Sequence, residues 1–98
     1  MANRQDRSVV MTAGGLHALR KSPLDKVEGI VLWHLVATLP AFGDVISQAR
    51  LASDLAITVV HVSHVMKQLC SQGFVMRGAK VGRSYHYKLN PAFFKIIA

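Results

Sequence analysis

Residues 46–77 read ISQARLASDLAITVVHVSHVMKQLCSQGFVMR, and the spacing of the apolar residues in this stretch predicts two helices joined by a tight turn. Ser47 is the expected N-cap of the first helix, because a serine side chain accepts a hydrogen bond from the free N–H groups of a helix start. The turn is predicted at residues 56–57, and Thr58 is the expected N-cap of the second helix. Gly73 is expected to end that helix in a left-handed conformation.

The second of these helices has two different faces. Its apolar residues at helical spacing are expected to point into the core: Val62, Val65, Met66 and Leu69. The outward positions are polar or basic: His61, Ser63, His64, Lys67 and Gln68. A helix of about 14 residues with such a face has the right length to lie in the major groove of duplex DNA.

A β-hairpin is predicted directly after these helices. Residues 74–77 and 84–89 read as two strands around the basic tip GAKVGR, residues 78–83. The tip carries Lys80 and Arg83, and Arg77 lies on the incoming strand. A cationic hairpin in this position is suited to contact the DNA backbone or to enter the minor groove.

The rest of the chain adds an N-terminal arm at residues 1–15, in which residues 8–12 favour a strand, and a domain at residues 16–98. Residues 22–23, Ser-Pro, are typical of an N-cap and first helical position, and they are expected to start an apolar central helix. A short C-terminal helix is predicted after Asn90-Pro91. The predicted fold is therefore mainly α with a small β-hairpin (α+β), in the element order of a winged helix-turn-helix.

The charge distribution favours a polyanionic partner. Lys and Arg number 12 against 5 Asp and Glu, which gives a net charge of +7. The last acidic residue is Asp54, so the C-terminal half carries only positive charge, and each phosphate that it neutralises would release counterions. The chain is also 51% hydrophobic, more than one small domain can bury alone, and this predicts a homodimer.

The two halves of the helix-hairpin region resemble known families. The stretch at residues 46–77 resembles the core of winged-helix regulators such as the multiple-antibiotic-resistance regulator superfamily, where a leucine-alanine pair precedes the turn and a late leucine is followed by glycine and two hydrophobic residues. Here these are Leu51-Ala52, Leu69 and residues 73–75. Residues 85–94, YHYKLNPAFF, resemble the ending of RepL-like plasmid replication-control proteins. The resemblance covers about two-thirds of the chain and implies DNA binding.

The predicted DNA-binding residues combine the resemblance with the outward face and the hairpin: Thr58, Val59, Val60, His61, Ser63, His64, Lys67, Arg77, Lys80 and Arg83. Val59 and Val60 depart from the family pattern, which has polar residues there. Two interpretations remain open: the two valines contact thymine methyl groups, or the arm or a partner covers them.

Several of these residues have simpler interpretations beside the functional one. His61 and His64 lie three residues apart and fit either a metal site or exposed polar contacts; the sequence favours the latter, and no metal or cofactor is predicted. Cys70 is expected to be a buried structural residue rather than a redox sensor. Trp33 and the pair Phe93-Phe94 favour core or dimer contacts over a ligand site. The Lys80–Arg83 tip can also be an ordinary solvated turn.

Other classes of protein fit the sequence poorly. The single cysteine excludes an intrachain disulfide and a cysteine zinc cluster. The longest apolar run, residues 29–39, is too short to cross a bilayer, and the N-terminus lacks a signal peptide pattern, so we expect a cytoplasmic protein without membrane contact. No catalytic motif appears, and residues 78–82 do not form a P-loop, so no enzymatic activity is expected.

The sequence thus predicts sequence-specific binding of double-stranded DNA by a dimeric transcriptional repressor or plasmid replication or maintenance regulator. One alternative is a winged-helix module that binds protein or RNA. Another is a plasmid partition adaptor that coats repeated centromere sites, which differs from the first only in the number of dimers on each DNA.

Overall fold

The computed structural model describes residues 7–97. The elements in that part of the chain are, in order, β1 (Ser8–Met11), α1 (Ala13–Lys21), α2 (Lys26–Thr38), β2 (Asp44–Ile46), α3 (Gln48–Leu55), α4 (Val59–Ser71), β3 (Val75–Val81), β4 (Ser84–Leu89) and β5 (Phe94–Ile97). The strands form two antiparallel sheets, one of β1 and β5 and one in the order β2-β4-β3. The chain therefore belongs to the α+β class, as predicted, and it has more β-structure than the hairpin and the strand of the arm expected from the sequence.

The hydrophobic core lies between α2, α4 and the inner side of the hairpin. Its fully buried side chains come from all three: Val31 and Leu32, Val62, Val65, Met66 and Leu69, and Phe74 and Val75. Val62, Val65, Met66 and Leu69 are the four residues predicted to face inward, and all are at most 1% exposed. This burial fixes the rotation of α4 and leaves its opposite face outside.

Local capping signals explain the start and end of α3 and α4. Ser47 and Thr58 are the N-caps, and each side chain accepts a backbone N–H bond, from Arg50 and His61 respectively. Ala56 takes a left-handed conformation at φ 56° in the turn between the helices. These caps were predicted correctly, and so was the left-handed Gly73 with its φ of 84°.

The start of α2 was predicted wrongly. Ser22 is the C-cap of α1 rather than the N-cap of α2, and α2 begins three residues later than Pro23. Asp25 is the N-cap because it forms a capping box: its carboxylate accepts from the Glu28 N–H, and the Glu28 carboxylate accepts from the Asp25 N–H. Two reciprocal bonds to free helix donors outweigh the serine-proline signal.

The predicted C-terminal helix is also wrong, because residues 94–97 form strand β5. Asn90 does start a turn, in which its carbonyl accepts from the N–H groups of Phe93 and Phe94. The turn does not continue, since Ile96 and the following isoleucine are β-branched and pair with β1 through the register Ser8↔Ile97 to Met11↔Phe94. Phe94 is buried beneath this sheet.

The folded domain begins earlier than residue 16, the predicted boundary, and includes part of the predicted N-terminal arm. β1 occupies most of the interval in which a strand was favoured, and α1 starts at Ala13. Residue 7 contacts the central helix, because the Arg7 guanidinium donates to the Val36 carbonyl. Residues 1–6 of the predicted arm lie outside the described residues. Within residues 7–97, no helix is long and apolar enough to cross a bilayer.

Candidate nucleic-acid interface

The outward face of α4 carries the residues that the sequence singled out. Val60 is 80% exposed and Val59 is 49% exposed in the first turn. His61, His64 and Lys67 are exposed as well, and Ser63 is half-buried. The face is thus apolar at the N-terminal end of the helix and polar to basic along the rest.

The N-terminus of α4 presents a hydroxyl together with free backbone donors. The Thr58 Oγ1 accepts from the His61 N–H at 3.1 Å, so the hydroxyl hydrogen can be donated outward. The first N–H groups of a helix, with the positive end of its dipole, suit an anionic oxygen. Thr58 itself is exposed, so a phosphate has access to this end.

The hairpin carries the three remaining predicted residues. Arg77, Lys80 and Arg83 are all exposed. β3 continues to Val81, so the strand is longer than predicted and the tip is shorter, with its turn at Gly82-Arg83 rather than across residues 78–83. Gly82 has a φ of 62° in this turn, a conformation that glycine adopts readily.

An open groove with a volume of about 990 Å³ lies between the start of α3, the side of α4 and the hairpin. Lys67, Arg77 and Arg83 line it, and so do Val59 and Ser63 from the predicted set. The other predicted residues, Thr58, Val60, His61, His64 and Lys80, lie outside the groove lining. The structure therefore divides the predicted residues between the groove, the exposed face of α4 with its N-cap, and Lys80 on the hairpin.

The electrostatics of the groove are of one sign, since none of its described lining residues is acidic. Two acidic residues, Asp25 and Glu28, are held in the capping box of α2. Asp44 accepts from the N–H of the next residue at the start of β2. Lys67, Arg77 and Arg83 thus face the groove without a carboxylate in its lining, which favours an anion as its occupant.

Two side chains that line the groove have raised pKa values. Burial raises the pKa of the Cys70 thiol, and the Arg77 charge lowers it by a smaller amount. Cys70 is therefore a thiol near neutral pH, which does not favour a redox sensor. Burial also raises the pKa of Tyr87, opposed by a hydrogen bond that the Gln48 amide donates to the Tyr87 hydroxyl at 3.4 Å.

Two groove residues were missed in the sequence. Tyr85 lies under Arg77, with the guanidinium carbon 4.5 Å from the ring centroid, and Gln48 joins α3 to the hairpin. The tyrosines of YHYKL alternate along one face of a strand, which is a readable signal for a shared role. Gln48 had no such signal, because its contact depends on how α3 packs against β4.

The structure bears on two of the alternative interpretations, a metal site at the histidines and the packing of Trp33 and Phe93. Within residues 7–97, no group of three or more His, Cys, Asp or Glu side chains comes together as a metal site would require. Trp33 and Phe93 both make edge-on aromatic contacts, at 6.4 Å to Phe94 and 5.7 Å to Phe74. Trp33 nevertheless stays 47% exposed on α2.

Comparison with known proteins gives no identification: neither a model of any protein family nor a curated protein matches the chain.

Proposed function

We propose that this chain is a winged helix-turn-helix protein that binds double-stranded DNA sequence-specifically, as a homodimeric transcriptional repressor or a regulator of plasmid replication or maintenance. The observation that carries the proposal is the groove between α4 and the hairpin, with Lys67, Arg77 and Arg83 in its lining and no acidic residue. A protein that needed its positive charge only for solubility would mix both signs on this surface.

The proposed contacts follow from the two parts of the site. α4 lies in the major groove, where His61 and His64 contact the edges of bases. The first backbone N–H groups of α4, which follow Thr58, donate to a phosphate. Val60 has the exposure needed to contact a thymine methyl group. The hairpin and Lys67 hold the DNA backbone. The protein acts through affinity rather than catalysis, in the cytoplasm where an operator or plasmid is found.

The homodimer is proposed from apolar side chains that are exposed on α2 and on the β1-β5 sheet. Ile30 and Trp33 on α2 are 41% and 47% exposed, and Val10 and Ile97 on the sheet are 46% and 54% exposed. A two-fold axis there would direct two copies of α4 to major grooves about 34 Å apart on an inverted repeat.

The experiment is selection of bound duplexes from a random pool, followed by affinity measurements on the selected site over a range of salt concentrations. We expect an inverted repeat and a steep loss of affinity as salt rises, because phosphate contacts release counterions. Affinity that is unchanged from low to high salt, or a pool that yields no common site, would contradict the proposal.

A second candidate is a winged-helix module that binds protein or RNA, and the valines at the start of α4 favour it. Val60 is 80% exposed, whereas a helix in a polar groove of DNA more often presents polar side chains there. Gel shifts with random duplex DNA and with single-stranded RNA separate the two candidates. Preference for the single strand, or binding to neither, would favour this module over DNA recognition.

A further inference from the structure

The two strands of the hairpin are not in regular register, and the irregularity lies at the basic residues. Arg77 pairs with Tyr87, but Lys80 pairs with Tyr85, so the residues Gly78 and Ala79 of β3 oppose a single residue of β4. Residues three apart in a regular strand point to opposite faces of the sheet. The β-bulge adds one residue and brings Arg77 and Lys80 to the same face.

The side chain that both cations contact on that face is Tyr85. The Arg77 guanidinium carbon is 4.5 Å from its ring centroid, and the Lys80 Nζ is 6.0 Å from it. The ring is supported in turn by Tyr87, which is buried and meets it edge-on at 6.5 Å. Gln48 donates to the Tyr87 hydroxyl, so the support extends to the start of α3.

Long cationic side chains lose rotamer freedom when they bind a phosphate, and this loss weakens binding. A cation held over an aromatic ring has given up part of that freedom before the ligand arrives. The contact leaves the guanidinium charged and its N–H donors at the edge of the plane free to bind. Tyr85 therefore restricts Arg77 and Lys80 without neutralising either.

We propose that Tyr85 is the positioning residue of the hairpin, which holds Arg77 and Lys80 over one ring so that both bind phosphates of the DNA backbone. This inference rests on the proposed function and deepens it by assigning the hairpin cations to backbone phosphates through an aromatic platform that the bulge creates. Tyr85 acts through the two cations and is not itself the phosphate ligand.

The test compares Tyr85→Phe with Tyr85→Leu on a duplex that the wild-type protein binds. Phenylalanine keeps the ring face, so Tyr85→Phe should stay within about threefold of the wild-type affinity. Tyr85→Leu should bind about tenfold more weakly, because two long side chains must then be ordered on binding. Phe42→Leu is the matched control, because it removes an aromatic ring that is 79% exposed in the turn before β2 and outside the groove lining, and it should leave affinity unchanged. Melting curves of the variants show that each is folded.

Two readouts separate positioning from a general structural effect. In an Arg77→Ala background, Tyr85→Leu should lose most of its effect on affinity, because the two residues act together. In the DNA-free protein, the NMR signals of the Arg77 δ protons should carry a ring-current shift that Tyr85→Phe keeps and Tyr85→Leu removes. Equal affinity of the Phe and Leu variants, or an unchanged effect of Tyr85→Leu without Arg77, would overturn the inference. A wild-type protein that binds no duplex would instead overturn the proposed function.

Discussion

Helices α2 and α4 have the same length, 13 residues each, and they pack against each other in the core, but their outward faces differ. α2 presents apolar side chains outside, with Ile30 and Trp33 each more than 40% exposed. α4 presents His64 and Lys67 there, beyond the two valines of its first turn. Burial explains the inner faces of both helices equally well, so the outer faces carry the information about function.

The N-terminal ends of α2 and α4 also differ in their acidic residues. Asp25 and Glu28 cap the N-terminus of α2, whereas the first turn of α4 contains no acidic residue. A carboxylate in a first turn stabilises a helix through its dipole, so its absence from α4 gives up a small local stabilisation. The end of α4 that lacks a carboxylate is free for an external anion. An apolar exterior on α2 suits a second protein surface, and a cationic exterior beside α4 suits DNA.

The largest expected effect is on folding stability, and it should be the same for the buried faces of the two helices. Leu32 on α2 and Leu69 on α4 are both fully buried, and Leu32→Ala or Leu69→Ala should each lower the free energy of unfolding by about 3 kcal/mol. Chemical denaturation measures both. Val60→Ala is the control on the exposed face of α4 and should change stability by less than about 0.5 kcal/mol. A much smaller cost for Leu69 than for Leu32 would mean that α4 is not a core helix.

The next effect concerns the outer face of α2. Trp33→Glu should weaken the proposed dimer by about 2 kcal/mol, roughly 30-fold, because a charge would replace a half-exposed aromatic side chain at the interface. Light scattering over a concentration series measures the association. Ser53→Glu adds the same charge on an exposed position of α3 and serves as the control. If the Trp33→Glu variant dimerises at the same protein concentration as the wild type, α2 is not part of the dimer interface.

The outer face of α4 and the hairpin give a smaller effect on DNA binding. Lys67→Ala and Arg83→Ala should each reduce the salt slope by about one unit, which corresponds to about tenfold in affinity at 0.1 M salt. Lys26→Ala is the matched control, since Lys26 is an exposed lysine in the first turn of α2. Fluorescence anisotropy with the selected duplex measures all three. If Lys26→Ala weakens DNA binding as much as Lys67→Ala, the proposal that α4 rather than α2 contacts DNA is wrong.

The smallest effect compares the two N-caps. Asp25→Ala and Thr58→Ala should each cost about 1 kcal/mol of stability, because each removes a side-chain acceptor from a helix start. Only Thr58→Ala should also weaken DNA binding, and Thr58→Ser should restore both stability and binding. Thermal melts and anisotropy on the same samples provide the two readouts. A loss of DNA affinity in Asp25→Ala equal to that in Thr58→Ala would contradict the assignment of the phosphate to α4.

The sequence predicted those parts of the fold that depend on neighbouring residues. Ser47, Thr58 and Gly73 were identified correctly because a cap or a left-handed helix end is decided within a few residues. The inward face of α4 followed from its periodicity in the same way. At the start of α2, the sequence offered two possible N-caps, Ser22 and Asp25. Asp25 is the N-cap because it forms two reciprocal hydrogen bonds with Glu28.

The parts that were missed depend on residues distant in sequence. Asn90 gives a true local turn signal, but whether the chain continues as helix or strand is decided by β1, which pairs with residues about 85 positions later. The bulge between Arg77 and Lys80 was invisible because register depends on both strands together. The individual basic residues were therefore predictable, whereas their common platform on Tyr85 was not.

The most direct test of the proposed interface is an NMR titration of the protein with the selected duplex, following the backbone amides of α4 and α2 in one experiment. We predict that the largest shift changes occur at Thr58, at residues 59–67 of α4 and at residues 77–84 of the hairpin. The amides of Ile30 and Trp33 should stay nearly unchanged at a constant dimer concentration. Shift changes centred on α2 and the β1-β5 sheet, with α4 unaffected, would contradict the proposal that α4 is the helix that binds DNA.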